Sequence, residues 1–274
     1  VTFPKLKPRK RTSHKGQNGR VLVVGGSIDY VGAPTFVSTA ALAVLRSGAD
    51  LVTVVAPEKV AWAINCLSPD LITRKLPGKW LTPRHLAAIL KLAEQVDAVV
   101  VGNGIGMRPA TRSLVRLLLK HLHKPVIIDA DALRMIRLQD VGNAVLLPHG
   151  GEFTALLRNS RLERKTPRQL QPLLKDNVLV LKGHPQTLII SRTRIATNTT
   201  GNAGMTHGGT GDVLAGIIAG LIAQGNDVFT SCKTAAYVNG KAADRLYRRM
   251  GFGYLASDLV KEIPFILRKF QRQV

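Results

Sequence analysis

Cysteine, aromatic residues and acidic residues are all scarce in this 274-residue chain. The two cysteines, Cys66 and Cys232, stand far apart and in no Cys-x-x-Cys setting, so a disulfide framework is not expected and a reducing, cytoplasmic setting is. No His-Glu-x-x-His or other zinc spacing occurs, so no protein-held metal is expected. Aromatics make up 5% of residues, too few for stacking platforms along a single nucleic-acid strand. The longest apolar run, residues 213–223, contains two glycines and falls well short of the ~18 residues a membrane span needs. The N-terminus is basic but lacks an apolar stretch, which excludes a secretory signal in these residues. Repeats and low-complexity blocks are absent.

The scarcity of acid has the largest consequence. Lys and Arg total 39 against 17 Asp and Glu, a net charge of +22, which favours anionic partners: nucleotides, phosphates, nucleic acid or an acidic membrane. An apolar fraction of 45% excludes disorder as the main state and suffices for a substantial core. The chain starts at Val1 rather than Met, which reads as a fragment or a processed product. Residues 1–13 form a basic arm, the segment most suited to disorder, and residues 14–274 read as one domain.

Short, nearly continuous apolar runs at 20–24, 51–55, 98–101, 125–129, 144–147 and 178–181 predict strands buried on both faces. Helical patterns fall between them, at 33–47, 83–95, 109–121, 151–157 and 167–174. This alternation predicts an α/β fold with a mostly parallel sheet and helices on both faces. Residues 187–191 and 194–198 predict a hairpin at the sheet edge. Helices follow at 212–224, 229–250 and 257–270, the last capped by Ser257-Asp258. The polar stretch 159–168 predicts an exposed loop.

The strongest local signal is Thr200-Gly201-Asn202-Ala203-Gly204-Met205-Thr206-His207-Gly208-Gly209-Thr210-Gly211-Asp212, which runs into an apolar segment. Five glycines fall within residues 201–211, more than a simple turn needs, since each costs chain entropy. The first turn of a helix carries unpaired N–H groups and the positive end of its dipole, and glycines let a phosphate approach them. Asp212 beside such a phosphate is placed to act as a general base. The alternative is a capping role for Asp212 with a tight glycine turn. No Gly-x-x-x-x-Gly-Lys-Ser/Thr occurs, so this is not a P-loop.

Gly-Gly-Thr-Gly-Asp before an apolar helix resembles the anion hole and catalytic aspartate of the ribokinase-like kinases. The longer string from Asn198 to Asp212 resembles a narrower branch, the ADP- or ATP-dependent NAD(P)H-hydrate dehydratases. Other blocks agree in order: His14-Lys15-Gly16 with the run to Ser27, Gly32-Ala33, Leu45-Arg46-Ser47-Gly48-Ala49-Asp50, Gly102-Asn103-Gly104-Ile105-Gly106, Asp129-Ala130-Asp131, Pro148-His149-Gly150-Gly151-Glu152 and Leu181-Lys182-Gly183. The likeness runs from residue 14 to 264.

Each block also has a plainer reading. The Gly102–Gly106 stretch can be a glycine turn, Gly32-Ala33 close helix–sheet packing, and His149 a solvated loop histidine. Asp131 reads first as a helix N-cap, and with Asp129 it could instead hold Mg²⁺. Glu152 reads as a first-turn acid that favours the helix dipole. Lys182 can meet a phosphate as a mobile point charge.

The resemblance implies a ribokinase-like three-layer α/β/α fold and the return of hydrated NADH or NADPH to NAD(P)H. The donor would be ADP, or less typically ATP, with Mg²⁺. A stand-alone chain favours ADP. The resemblance further implies that Asp212 is catalytic, that Ala33, Gly104, His149 and Asp212 meet the substrate, and that Lys182, Gly183, His184, Pro185, Gln186, Gly208, Gly209, Thr210 and Gly211 bind the nucleotide. Asn103 stands where that family has proline, an exchange expected to loosen the loop. Gly150-Gly151 likewise departs from a usual proline. A homotetramer is implied, and an epimerase that would be separate or cut away. Two other classes stay open: a small-molecule kinase of the same superfamily, which would accumulate a phosphorylated product, and a basic nucleic-acid-binding protein, which would bind with steep salt dependence. The missing helix-turn-helix, zinc and aromatic signatures argue against the second.

Overall fold

The computed structural model describes residues 6–14, 16–45, 50–183 and 185–270. The apolar runs of the sequence pair into one nine-stranded sheet in the order β3-β2-β1-β4-β5-β6-β7-β8-β9. The strands are β1 (Arg20–Val24), β2 (Leu51–Pro57), β3 (Ile72–Leu76), β4 (Ala98–Val101), β5 (Val126–Ile128), β6 (Ala144–Leu146), β7 (Val178–Leu181), β8 (Thr187–Ile190) and β9 (Ile195–Asn198). From β3 to β7 every neighbour is parallel, with Val21 opposite Val52 on one side and Ala98 on the other. The hairpin β8–β9 joins β7 antiparallel.

Alternation along each strand splits the core. Val21, Val23, Val52, Val54, Val100 and Ile127 face one side, and Leu22, Val24, Val99, Val101 and Ile128 the other. The first side is covered by α1 (Gly32–Leu45), α2 (Glu58–Leu67), α6 (Thr210–Ala223), α7 (Val228–Met250) and α8 (Ala256–Leu267). The second is covered by α3 (Leu86–Ala93), α4 (Pro109–His121) and α5 (Gly150–Ser160). This is the expected three-layer α/β/α arrangement with an edge hairpin. Among the described residues no helix is long and apolar enough to cross a membrane.

Several expectations need correction. Helix α2 and strand β3 were not expected. Strand β3 alternates exposed Ile72 and Arg74 with buried Thr73 at the sheet edge, so it has no continuous apolar run. The helix expected at 167–174 is only 3₁₀ turns over Arg168–Leu173, with Pro172 removing a backbone donor. Residues 83–85 are likewise 3₁₀ before α3. The cap of α8 is Leu255, whose N–H donates to Asp258, rather than Ser257-Asp258. The loop expected from 159 starts later, because buried Ser160 still belongs to α5 and its hydroxyl accepts from Leu138 N–H. In the basic arm, Leu6 is buried in the core and Lys7 N–H donates to Asn226 Oδ1 at 2.7 Å.

Helix α6 is buried almost all round, as its sequence dictates. It can sit so close to α1 because of Gly216. A Cβ there would overlap the Val37 carbonyl oxygen and come within 2.7 Å of Ala40 Cβ and 2.9 Å of Ala41 N. Most of those atoms are backbone and have nowhere to go. Gly216→Ala gains about 1 kcal/mol of helix propensity but incurs overpacking near or beyond the upper end of about 3 kcal/mol. A net loss of about 2 kcal/mol, or roughly 5 °C in Tm, is expected in thermal denaturation. An unchanged Tm would show that the two helices are not in register as described.

Candidate active site

The parallel strands all end on one edge, and their first loop residues converge there. Gly102 and Asn103 follow β4, Asp129 follows β5, Pro148 and His149 follow β6, and Lys182 follows β7. Opposite them lies the N-terminus of α6. A cavity of about 520 Å³ separates the two, lined by Asp129, His149, Glu152, Lys182, Gly208–Gly211 and Asp212 among others.

Gly209 is the N-cap of α6, with a φ of 94° that suits glycine. The first intrahelical bond runs from Val213 N–H to Gly209 C=O. The N–H groups of Thr210, Gly211 and Asp212 therefore precede it and are free to meet a ligand. A Cβ on Gly208 would have open space around it. The glycine stretch is thus an open cradle of amides at the positive end of a buried helix, suited to a phosphate. Thr210 contributes its amide, because its hydroxyl donates to Met205 and His207 carbonyls. Asp212 is the third residue of α6 and not its cap, which excludes the plain capping reading.

Asp212 faces an unusual company. Asn103 Nδ2 donates to Asp212 Oδ1 at 2.6 Å and to Asp129 Oδ2 at 2.9 Å. Burial pushes the Asp212 carboxyl up to about 7 and Asp129 adds to the push, while Asn103 and Lys182 oppose it. Lys182 Nζ lies 2.7 Å from Asp129 Oδ1 and 3.7 Å from Glu152 Oε2. Burial works against its charge, but Asp129, Glu152 and Asp212 outweigh that and hold the lysine above its ordinary value. It is therefore a clamped cation rather than the mobile one the sequence suggested.

Asp129 and Asp131 do not act as a pair. Ala130 between them is in the left-handed region, with a φ of 49°, and the two carboxylates diverge. Asp129 turns to Lys182 and Asn103, while Asp131 accepts from Gly106 N–H at 2.9 Å. Asp131 is thus not the expected N-cap: Asp129 precedes the 3₁₀ turn and Asp131 ties down the Gly102–Gly106 loop. The two are not arranged as a shared magnesium site. Asn103 does not loosen that loop either, since it is only 1% exposed and held at both carboxylates.

His149 is the N-cap of α5, and its ring stays half exposed to solvent, as the plainer reading expected. Its Nδ1 accepts from Gly151 N–H at 3.0 Å, its own N–H donates to Glu152, and its Nε2 lies 3.3 Å from Glu152 Oε1. Of the expected nucleotide contacts, Lys182, Gly183, Pro185 and Gly208–Gly211 line the cavity, while Gln186 is not among its lining. His184 lies outside the described residues. Ala33 and Gly104 pack on one another, where a Gly104 Cβ would come within 3.3 Å of Ala33 Cβ. They are not among the cavity lining, and Gly104 reaches the site through its neighbour Asn103. Sequence reasoning did not single out Asn103 as part of the site, nor Asn239, a buried cavity residue on α7. Asn103 was signalled only as a polar side chain inside a glycine loop, and Asn239 by nothing.

A family model described as NAD(P)H-hydrate dehydratase matches residues 21–265. The chain is 41% identical over 276 residues to the bifunctional NAD(P)H-hydrate repair enzyme of Methanothermobacter thermautotrophicus, covering 96% of this chain and 52% of that protein. It is 39% identical over 269 residues to the enzyme of the same name from Pyrobaculum aerophilum, covering 96% and 53%. The chain thus spans about half the length of the curated relatives it matches. Among solved structures it is similar to the ADP/ATP-dependent NAD(P)H-hydrate dehydratase of Bacillus subtilis co-crystallised with ATP and Mg²⁺ (28% identity, TM-score 0.78, 97% and 95% of the two chains). It is also similar to a ribokinase-like superfamily protein of Enterococcus faecalis (27% identity, TM-score 0.82, 97% and 93%). With this match over residues 21–265 and these relatives aligned along nearly all of its length, the chain belongs to the NAD(P)H-hydrate dehydratase family.

Proposed function

We propose that this chain dehydrates hydrated NADH or NADPH at the expense of an adenine nucleotide. The observation that carries the reading is Asp212, a half-buried carboxylate beside the open amide cradle of α6. The terminal phosphoryl group of ADP or ATP would pass to the ring hydroxyl of the substrate. Asp212 takes the hydroxyl proton as the new O–P bond forms and the bond from that phosphorus to the departing AMP or ADP breaks. The amides of Gly208–Gly211 hold the transferring group where its charge develops. Loss of phosphate from the ring carbon, with a proton from the neighbouring carbon, restores the double bond of NAD(P)H.

Lys182, Gly183, His184, Pro185 and Gln186 would serve the nucleotide, while His149, Gly104 and Ala33 would serve the hydrate. Mg²⁺ fits as an ion that arrives with the nucleotide: no cluster of three or more metal-binding side chains exists among the described residues. Asp129 and Glu152 line the same cavity, but both are engaged by Lys182. When bound, the ion would neutralise phosphate charge. A cytoplasmic setting is supported by two free cysteines. An epimerase acting alongside is our reading from the family resemblance, and the bifunctional relatives are nearly twice as long as this chain. A tetramer is our reading from the family resemblance alone.

The test is turnover of hydrated NADH with ADP and ATP supplied separately. Phosphate release with recovery of NADH absorbance is expected, and a stable phosphorylated product would favour a small-molecule kinase instead. The pH profile gives a second check. A base with its carboxyl near 7 is ionised only above that pH, so kcat/KM should rise about tenfold per unit below 7 and level off above. A flat profile from pH 5.5 to 8 would remove Asp212 from the base role.

A further inference from the structure

Asn103 is 1% exposed and sits where β4 gives way to its glycine loop. Its Nδ2 is shared between Asp129 Oδ2 at 2.9 Å and Asp212 Oδ1 at 2.6 Å. Only the NH₂ side of the carboxamide can face two carboxylates, so its orientation is fixed by chemistry. The other end, Oδ1, is buried with no hydrogen-bond partner among the described residues. An orphaned buried acceptor is costly, so packing alone gives no reason for an amide here.

The two hydrogen bonds have a directional consequence. A carboxylate oxygen that accepts from Asn103 cannot also carry the proton on that side. Among the described residues, Asp212 Oδ1 is taken by Asn103 and no hydrogen bond occupies Oδ2. We propose that Asn103 is the positioning residue of the proton transfer, holding Asp212 Oδ1 as an acceptor so that Oδ2 is the oxygen presented to the cavity to receive the substrate's proton. This rests on Asp212 being the base. The other groups facing Asp212 are Asp129 after β5, Glu152 on α5 and Lys182 after β7, and the first two oppose its ionisation. Asn103 and Lys182 favour it, Asn103 by direct contact.

The experiment compares the wild type with Asn103→Ala and Asn103→Leu in full pH profiles of kcat/KM, alongside nucleotide binding by calorimetry and Tm. Loss of one short, charge-assisted hydrogen bond should move the acid limb up by about one unit or more, a fall of about tenfold at pH 6. At pH 9 activity should return to within about threefold of wild type, and nucleotide Kd should stay within about twofold, since Asn103 meets the Asp212 side chain and none of the cradle's N–H groups. A merely structural role would instead lower kcat equally at every pH. An unmoved limb in a variant that still binds nucleotide overturns the proposal. If neither variant folds, NMR of the wild type decides: the Asn103 side-chain NH₂ signals should titrate with the midpoint of the acid limb, and failure to do so overturns it. Asp212→Asn separates the two readings. If that variant keeps turnover, the base assignment fails. If it is inactive while the Asn103 limb stays put, only the positioning role fails.

Discussion

Asp212→Asn should lose about 10³-fold in kcat while still binding adenine nucleotide, because a positioned general base supplies about that factor. The cradle depends on backbone N–H groups, which the substitution leaves in place. The amide can also keep the local geometry, since its oxygen can accept from Asn103 as the carboxylate does. The same variant should be more stable than the wild type above pH 7. The folded protein raises the Asp212 carboxyl from 3.8 to about 7, so between those values the folded state binds more protons than the unfolded chain. The sign follows: stability falls as pH rises through that window and stays lowered above it. The full shift is worth about 4 kcal/mol. Asparagine does not ionise and escapes that penalty. Denaturant unfolding at pH 5 and pH 8.5 reads the difference, which should be clearly smaller at pH 5 than at pH 8.5. A variant equally destabilised at both values would show that the carboxylate is a structural anchor, and one with near wild-type turnover would end its role as base.

The residues that made the fold legible are those whose burial is dictated locally. Strands β1, β4 and β7 are four- or five-residue apolar runs covered on both faces, and their ends fall where the sequence predicts. The amide cradle was legible for a similar reason, as glycines clustered ahead of an apolar helix have few other uses. Illegible features depended on partners remote in the chain. Nothing near Asn103 announces that its amide will meet a carboxylate 26 positions away and another 109 positions away. Lys182 reads as a free cation until the sheet brings Asp129 beside it from two strands over. Ala130 forces Asp129 and Asp131 apart through a backbone conformation that its own sequence does not signal. The sequence thus reveals the scaffold and the open amide cradle, and the fold reveals how the charges behind the cradle are balanced.

That balance makes Lys182→Met the most damaging change expected for stability. Three carboxylates, Asp129, Glu152 and Asp212, surround one ammonium group. The side chains of Asp129 and Glu152 are only 2% and 8% exposed, so water cannot replace the lysine. Methionine fills similar space but leaves the buried carboxylates without their cation, a loss of about 3–5 kcal/mol. In the wild type the lysine's raised value means its contribution is fully present below the ordinary 10.5 and is lost only as pH climbs through the folded value. In the variant the cation that opposes the rise of Asp212 is gone, so that carboxyl should be held higher still, and the deficit should shrink as pH falls and Asp212 takes up its proton. Unfolding at pH 5 and pH 8 is the measurement, and an equal deficit at both would mean lost packing rather than lost charge. Activity should report the same imbalance. Without Lys182 one of the two groups favouring ionised Asp212 is gone, so the acid limb of any remaining turnover should move upward and nucleotide binding should weaken. As the proposed base, Asp212 would work near neutral pH because burial and its neighbouring carboxylates raise it while Asn103 and Lys182 hold it down.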